Sequence, residues 1–179
     1  MSVVLLIGKR ARVLDELAEI ITGLGHMVKR SEDLDGLERM DIAEVDVVAF
    51  GRALTDTQIT ELETTYRQKN PRMIFVRGLV PIPPLLAIQI SAALNARQPV
   101  SAKPPTFDRQ NHTVTVVLDR QLPVRVTVWW LSIFYREKSK VVIDELLQPG
   151  THTIVMPVWA ARSKYYCSVE IGKQQTYII

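Results

Sequence analysis

Val3-Val4-Leu5-Leu6-Ile7-Gly8-Lys9-Arg10 opens the stretch that decides the fold. Five aliphatic residues in a row, without alternation, are the mark of a strand covered on both faces, as central parallel strands are. Leu14, Leu17, Ala18, Ile21 and Leu24 then recur at helical spacing, with Asp15, Glu16 and Glu19 opposite. Gly23 or Gly25 supplies a left-handed stop, and a short second strand follows over residues 26–30. A strand, a helix and a second strand in that order predict the opening of a parallel sheet covered by helices.

The same rhythm continues outward to about residue 97. Val45-Asp46-Val47-Val48-Ala49-Phe50 reads as a third strand, preceded by a short helix over 31–40. Thr55 and Gln58 form a capping box ahead of Ile59, Leu62 and Tyr66, the inner face of the next helix. Asn70-Pro71 stops that helix, and a fourth strand follows over 73–76. Pro83-Pro84 open a last helix, where proline in the first turn costs nothing. The expected sheet has four parallel strands in the order 2-1-3-4.

Two features of this half stand out. Three strands end in Gly8-Lys9-Arg10, Gly51-Arg52 and Arg77-Gly78. The carboxyl ends of parallel strands face one crevice, where ligands bind. Lys9, Arg10, Arg52 and Arg77 are therefore the candidates for holding a small anion, with the amino end of the first helix adding its dipole. Their alternative reading is solvated loop cations. The second feature is the helix over 83–96, which carries no charge. Leu85, Ile88 and Ala92 are candidate interface residues on it, covered by a second domain or by a second copy.

The segments Ile21-Thr22-Gly23-Leu24-Gly25-His26-Met27-Val28, 62–76 and 85–94 together resemble the receiver domains of response regulators, a flavodoxin- or Rossmann-like fold. The resemblance implies two acids after strand one, a phosphorylated aspartate at the end of strand three and a hydroxyl residue after strand four. Gly8-Lys9-Arg10, Phe50-Gly51-Arg52 and Arg77-Gly78 stand at those positions. A fifth strand with its lysine is absent from the reading, so the site of phosphorylation is not carried over. The dinucleotide fingerprint fails as well, for lack of further glycines after Gly8.

Residues 98–106 hold Pro99, Pro104 and Pro105 and read as a stiff linker. Beyond it helical periodicity ends. Val114, Val116 and Leu118 alternate, as do Leu122, Val124, Val126, Val128 and Trp130. Further strands are read over 133–135, 141–143, 151–155, 165–171 and 174–178, with turns at 137–140, Pro149-Gly150 and Gly172. The expectation is an antiparallel sandwich over 107–179. Val124-Arg125-Val126-Thr127-Val128, then Leu147-Gln148-Pro149-Gly150-Thr151, then Tyr165-Tyr166 up to Gly172, are similar to the immunoglobulin-like sorting domains of the type IX secretion system and to the related domain of flagellar hook-capping proteins. That resemblance implies the fold alone. Trp129 and Trp130 point to opposite faces, one into the core and the other, Trp129 being the candidate, into an interface.

Composition narrows the classes. The chain of 179 residues has a net charge of +3, short of the basic density of a nucleic-acid binder. Cys167 is the only cysteine, so no internal disulfide forms, and a reducing, cytoplasmic setting is expected. Met1-Ser2-Val3 has no basic segment of a signal peptide, and the uncharged stretch 78–96 is broken by prolines, so no membrane partner is expected. His26, His112 and His152 lack partners at ligand spacing, and no metal, cofactor or catalytic set is read. The function expected is a non-catalytic regulatory or protein-interaction module, with a protein or a second copy as partner. Its alternative is a binding protein for a phosphorylated or acidic small molecule.

Overall fold

The computed structural model describes residues 1–33, 37, 40–51, 54–78, 82–95, 103–134, 136–157, 165–172 and 175–179. It divides into two compact units, Met1–Leu94 and Asn95–Ile179.

The first unit runs β1 (Val3–Ile7), α1 (Ala11–Gly23), β2 (Met27–Ser31), β3 (Val47–Phe50), α2 (Asp56–Lys69), β4 (Ile74–Arg77) and α3 (Pro83–Asn95). Its four strands are parallel and ordered β2-β1-β3-β4, as expected. The unbroken aliphatic run of β1 has a simple cause. Val4 and Leu6 face one side, packing with Leu14, Leu17 and Ile21 of α1 and with Leu86, Ala87 and Ile90 of α3. Leu5 and Ile7 face the other, with Ile59 and Tyr66 of α2. A strand fed by cores on both faces has no solvent side for polar residues.

Local chemistry sets the ends of the helices. Gly25, at φ 85°, is the left-handed stop of α1. The amide of His26 donates to Ile21 O at 3.3 Å and that of Gly25 to Thr22 O at 2.9 Å, the paired bonds of a Schellman motif. The capping box of α2 is present: Gln58 N donates to Thr55 Oγ1 at 3.2 Å, and Thr55 N donates to Gln58 Oε1 at 2.9 Å. At the far end of α2, Asn70 Nδ2 donates to Val45 O at 3.0 Å, tying the helix end to the entry of β3. Half of the short helix read over 31–40 lies outside the described residues, and Ser31, read as its start, is the last residue of β2.

The second unit is all antiparallel. One sheet has the order β11 (Gln175–Ile178), β10 (Tyr165–Ile171), β7 (Leu122–Leu131), β8 (Glu137–Leu147); the other has β5 (Thr106–Asp108), β6 (Thr113–Leu118), β9 (Gly150–Val155). Their inner faces share one core of Val114, Val116, Val124, Val126, Val128, Cys167, Val169 and Ile171. This is sandwich-like packing with alternation on both sheets. Thr106, read with the linker, opens β5.

Two readings of this half are corrected. Residues 137–140, read as a turn, are the start of β8: Leu131 pairs with Glu137, Trp130 with Lys138, Trp129 with Ser139 and Val128 with Lys140. Ile133 and Phe134, read as part of a strand, lie in the turn itself and are 86% and 78% exposed. The reason is the ladder. β8 lies at the end of its sheet's strand order, where charged side chains are tolerated and guard against stray pairing. Polarity there does not signal a turn.

Candidate functional site

The carboxyl ends of the parallel strands finish in step. Gly8 N donates to Ser31 O at 3.1 Å, Gly51 N to Ile7 O at 2.8 Å and Gly78 N to Phe50 O at 2.8 Å. The ladder thus runs one residue past the strands and sets three glycines in a row across the crevice. At Gly51 and Gly78 the lack of a side chain is a packing requirement, whereas a Cβ on Gly8 would meet only ordinary contacts, the nearest at 3.5 Å from Leu14 Cδ2. A Cβ on Gly51 would stand 3.4 Å from Gly8 Cα and from Ile7 O, and one on Gly78 would stand 3.0 Å from Phe50 O and from Leu86 Cδ2. Backbone atoms cannot step aside as a side-chain tip can. Gly78→Ala is expected to cost the first unit about 1–3 kcal/mol through overpacking, read as a lower urea midpoint. A midpoint equal to that of the parent chain would refute the close packing of Phe50 and Gly78.

The four candidate cations part company here. Lys9 and Arg10 are exposed, at the entry to α1. Arg10 is the N-cap residue and makes no side-chain capping bond, and the first turn of α1 holds no acid. Arg77 is engaged elsewhere: Nε donates to Glu63 Oε1 at 3.3 Å, Nη2 lies 3.3 Å from the same oxygen, and Nη1 lies 3.6 Å from Asp56 Oδ1. Both acids belong to α2, so the charge of Arg77 is matched by side chains of its own unit. The pairs are surface pairs and contribute little to stability. Arg52 lies outside the described residues. Lys9 and Arg10 are thus left as neighbours at one strand end, and the convergence of all four is not part of the described geometry.

The interface candidates divide similarly. Leu85 is fully buried, and Ile88 and Ala92 are half-buried on α3. No residue of α3 with a described side chain is exposed, which accounts for a helix without a charged stripe. Trp129 and Trp130 do take opposite faces. Trp130 packs against the sandwich core. Trp129 is half-buried on the other face and donates through Nε1 to Ser168 Oγ at 2.9 Å. That bond explains why Ser168, with 0% exposure, sits on a face away from the core.

A groove of about 630 Å³ that no motif pointed to lies beside β2, lined by Asp15, Ala18, Glu19, Thr22, Val28 and Arg30. Arg30 and Asp15 form an ion pair there. Among the described residues, no group of three or more His, Cys, Asp or Glu is placed to hold a metal ion. His152 Nε2 lies 2.8 Å from Gln148 O, a bond within its own connection. No helix among the described residues is long and apolar enough to cross a membrane.

No protein-family model matches this chain, and no curated protein matches it in sequence. The reading of function therefore stands on the geometry above.

The feature that sequence reasoning missed is the β7–β8 tip. Its signal was the pair of bulky apolar residues after Ser132, a short hydroxyl side chain suited to closing a turn. The charged run at 137–140 drew the turn a few residues too far along, and the apolar pair 133–134 was read as a strand of its own.

Proposed function

We propose that this chain is a non-catalytic regulatory or protein-interaction module. Its amino-terminal unit is a receiver-like fold without phosphorylation chemistry, joined to an immunoglobulin-like sandwich. One observation carries the reading. At the carboxyl ends of β1 and β3, where phosphoryl transfer to a receiver needs carboxylates, Gly8 and Gly51 pack backbone against backbone, and Lys9 and Arg10 follow. A phosphorylated aspartate needs acids to hold its metal ion, and cations at that place repel one. A cytoplasmic setting accords with the single thiol, Cys167, which is buried and free. The partner is a protein, or a second copy of this chain.

The test is direct. The full chain is incubated with magnesium and acetyl phosphate, and its mass and melting temperature are followed. The expected result is no gain of a phosphoryl group and no thermal shift. A stoichiometric acyl phosphate on any aspartate would overturn the proposal.

The alternative, a site for an acidic small molecule, retains Lys9, Arg10 and the uncapped start of α1 as its support. Titration with inorganic phosphate separates the two readings. The module predicts no saturable thermal shift, whereas a saturable shift lost in a Lys9→Ala, Arg10→Ala double variant would favour the anion site.

A further inference from the structure

Among the described residues of the second unit, the most exposed large apolar side chains are adjacent in sequence. Ile133 is 86% exposed and Phe134 78%. Isolated exposed apolar residues are ordinary, but two neighbours at the tip of a long hairpin are a presented surface. The tip is also built to present them. Ser132 N donates to Arg136 O at 2.8 Å, and Arg136 N donates to Ser132 Oγ at 3.1 Å. Below this double closure the ladder resumes at once, Leu131 opposite Glu137 and Trp130 opposite Lys138. The two side chains are held out by a closed turn, so little ordering is left to be done on contact.

Charge accompanies them. Over residues 131–140 the chain carries Arg136, Lys138 and Lys140 against Glu137 alone. All three cations are exposed, Arg136 at the closure of the turn and Lys138 and Lys140 on the strand that leaves it. Trp130, one turn of the ladder below, is half-buried with its indole at the rim of the core. Apolar residues at the tip, cations behind them and an aromatic at the boundary match the layers of a lipid surface: acyl chains, anionic headgroups, interface.

We propose that the β7–β8 tip is a peripheral docking element for an anionic lipid surface, Ile133 and Phe134 entering the acyl boundary while Arg136 and Lys138 meet the headgroups. The contact lies on a membrane and does not cross it. It goes beyond the module reading and does not depend on what the parallel sheet binds. Charge complementarity selects this occupant over a neutral apolar cleft. Two apolar side chains alone give weak partition, and each cation near an anionic surface adds roughly five-fold.

The experiment is co-sedimentation of the full chain with vesicles of phosphatidylcholine alone and with about 30% phosphatidylserine, at low and at about 0.5 M salt. Binding is expected to the anionic vesicles at low salt, and to be lost at high salt and with phosphatidylcholine alone. Phe134→Asp is expected to cut the partition at least about ten-fold with an unchanged melting curve, since the side chain touches little of the fold. Lys138→Glu, which leaves the apolar tip intact, is expected to weaken binding by about ten-fold or more, since it reverses a charge. Failure to bind anionic vesicles, or equal binding by Phe134→Asp, would overturn the proposal. So would self-association in sedimentation velocity that Phe134→Asp abolishes without any vesicle binding; the tip would then serve a second copy.

Discussion

Tyr66→Ala is expected to destabilise the first unit by about 3–5 kcal/mol. Tyr66 lies on α2 with 0% exposure and fills the core beneath Leu5, Ile7, Val48 and Phe50. Removing the ring forfeits its transfer from water and leaves a cavity that rigid β1 and β3 cannot close. A second cost is polar. Tyr66 Oη donates to Leu37 O at 3.2 Å, a buried bond across 29 residues of sequence. Without it the Leu37 carbonyl loses that donor in an apolar site. Tyr66→Phe separates the two terms and is expected to cost about 1 kcal/mol. Urea unfolding followed by circular dichroism checks both. A loss under about 1.5 kcal/mol for Tyr66→Ala would mean that α2 is not seated on the sheet as described.

The second large effect appears with pH. Cys167 is 1% exposed, in the sandwich core between Val126, Val128 and Val169. Burial pushes its thiol from 9.0 up to about 12. The neutral thiol is the form the fold accepts, so the folded chain keeps the proton while the unfolded chain releases it. Between pH 9.0 and about 12 the folded state therefore binds more protons, and stability falls as pH rises. Below 9.0 the contribution is fully present. The slope approaches 1.4 kcal/mol per pH unit, about 4 kcal/mol over the window. Burial raises Tyr165 and Tyr177 in the same direction, which steepens the alkaline loss.

Urea midpoints of the second unit measured near pH 8, 9.5 and 10.5 are expected to fall progressively. Cys167→Ala is expected to be less stable near neutrality, by about 1 kcal/mol, with a shallower alkaline slope. The same burial makes the native thiol slow toward alkylating reagents near pH 8, with full labelling in denaturant. Rapid labelling of the native chain, or an alkaline slope identical in Cys167→Ala, would refute the burial of this group.

The legibility of the fold varied with the range of the interactions. β1, α1 and the left-handed turn at Gly25 are local, and each was readable from spacing and residue type. So was the capping box of Thr55 and Gln58, which needs four residues. The order β2-β1-β3-β4 followed from alternation of strands and helices, because short crossovers leave few other arrangements. The candidate site was less legible. A cation at a strand end looks the same in sequence whether it faces a crevice or an acid. Arg77 and Glu63 are fourteen residues apart and meet only because α2 packs beside β4. The misread turn at 137–140 has the same origin, since the pairing of Lys138 with Trp130 is a cross-strand fact.

What the amino-acid order determined by itself is the type of each unit: a helix-covered parallel layer, then alternating strands with apolar inner faces. Periodicity and turn chemistry act over a few residues, and burial of the apolar positions leaves no other economical arrangement. Tertiary structure alone decided which charges meet and what is left protruding. It took Arg77 to the carboxylates of α2, laid Gly8 against Gly51, and turned the chain at Ser132 so that Ile133 and Phe134 stand in solvent. Those outcomes depend on strand register and helix seating, which are set by the sum of many contacts rather than by the residues concerned.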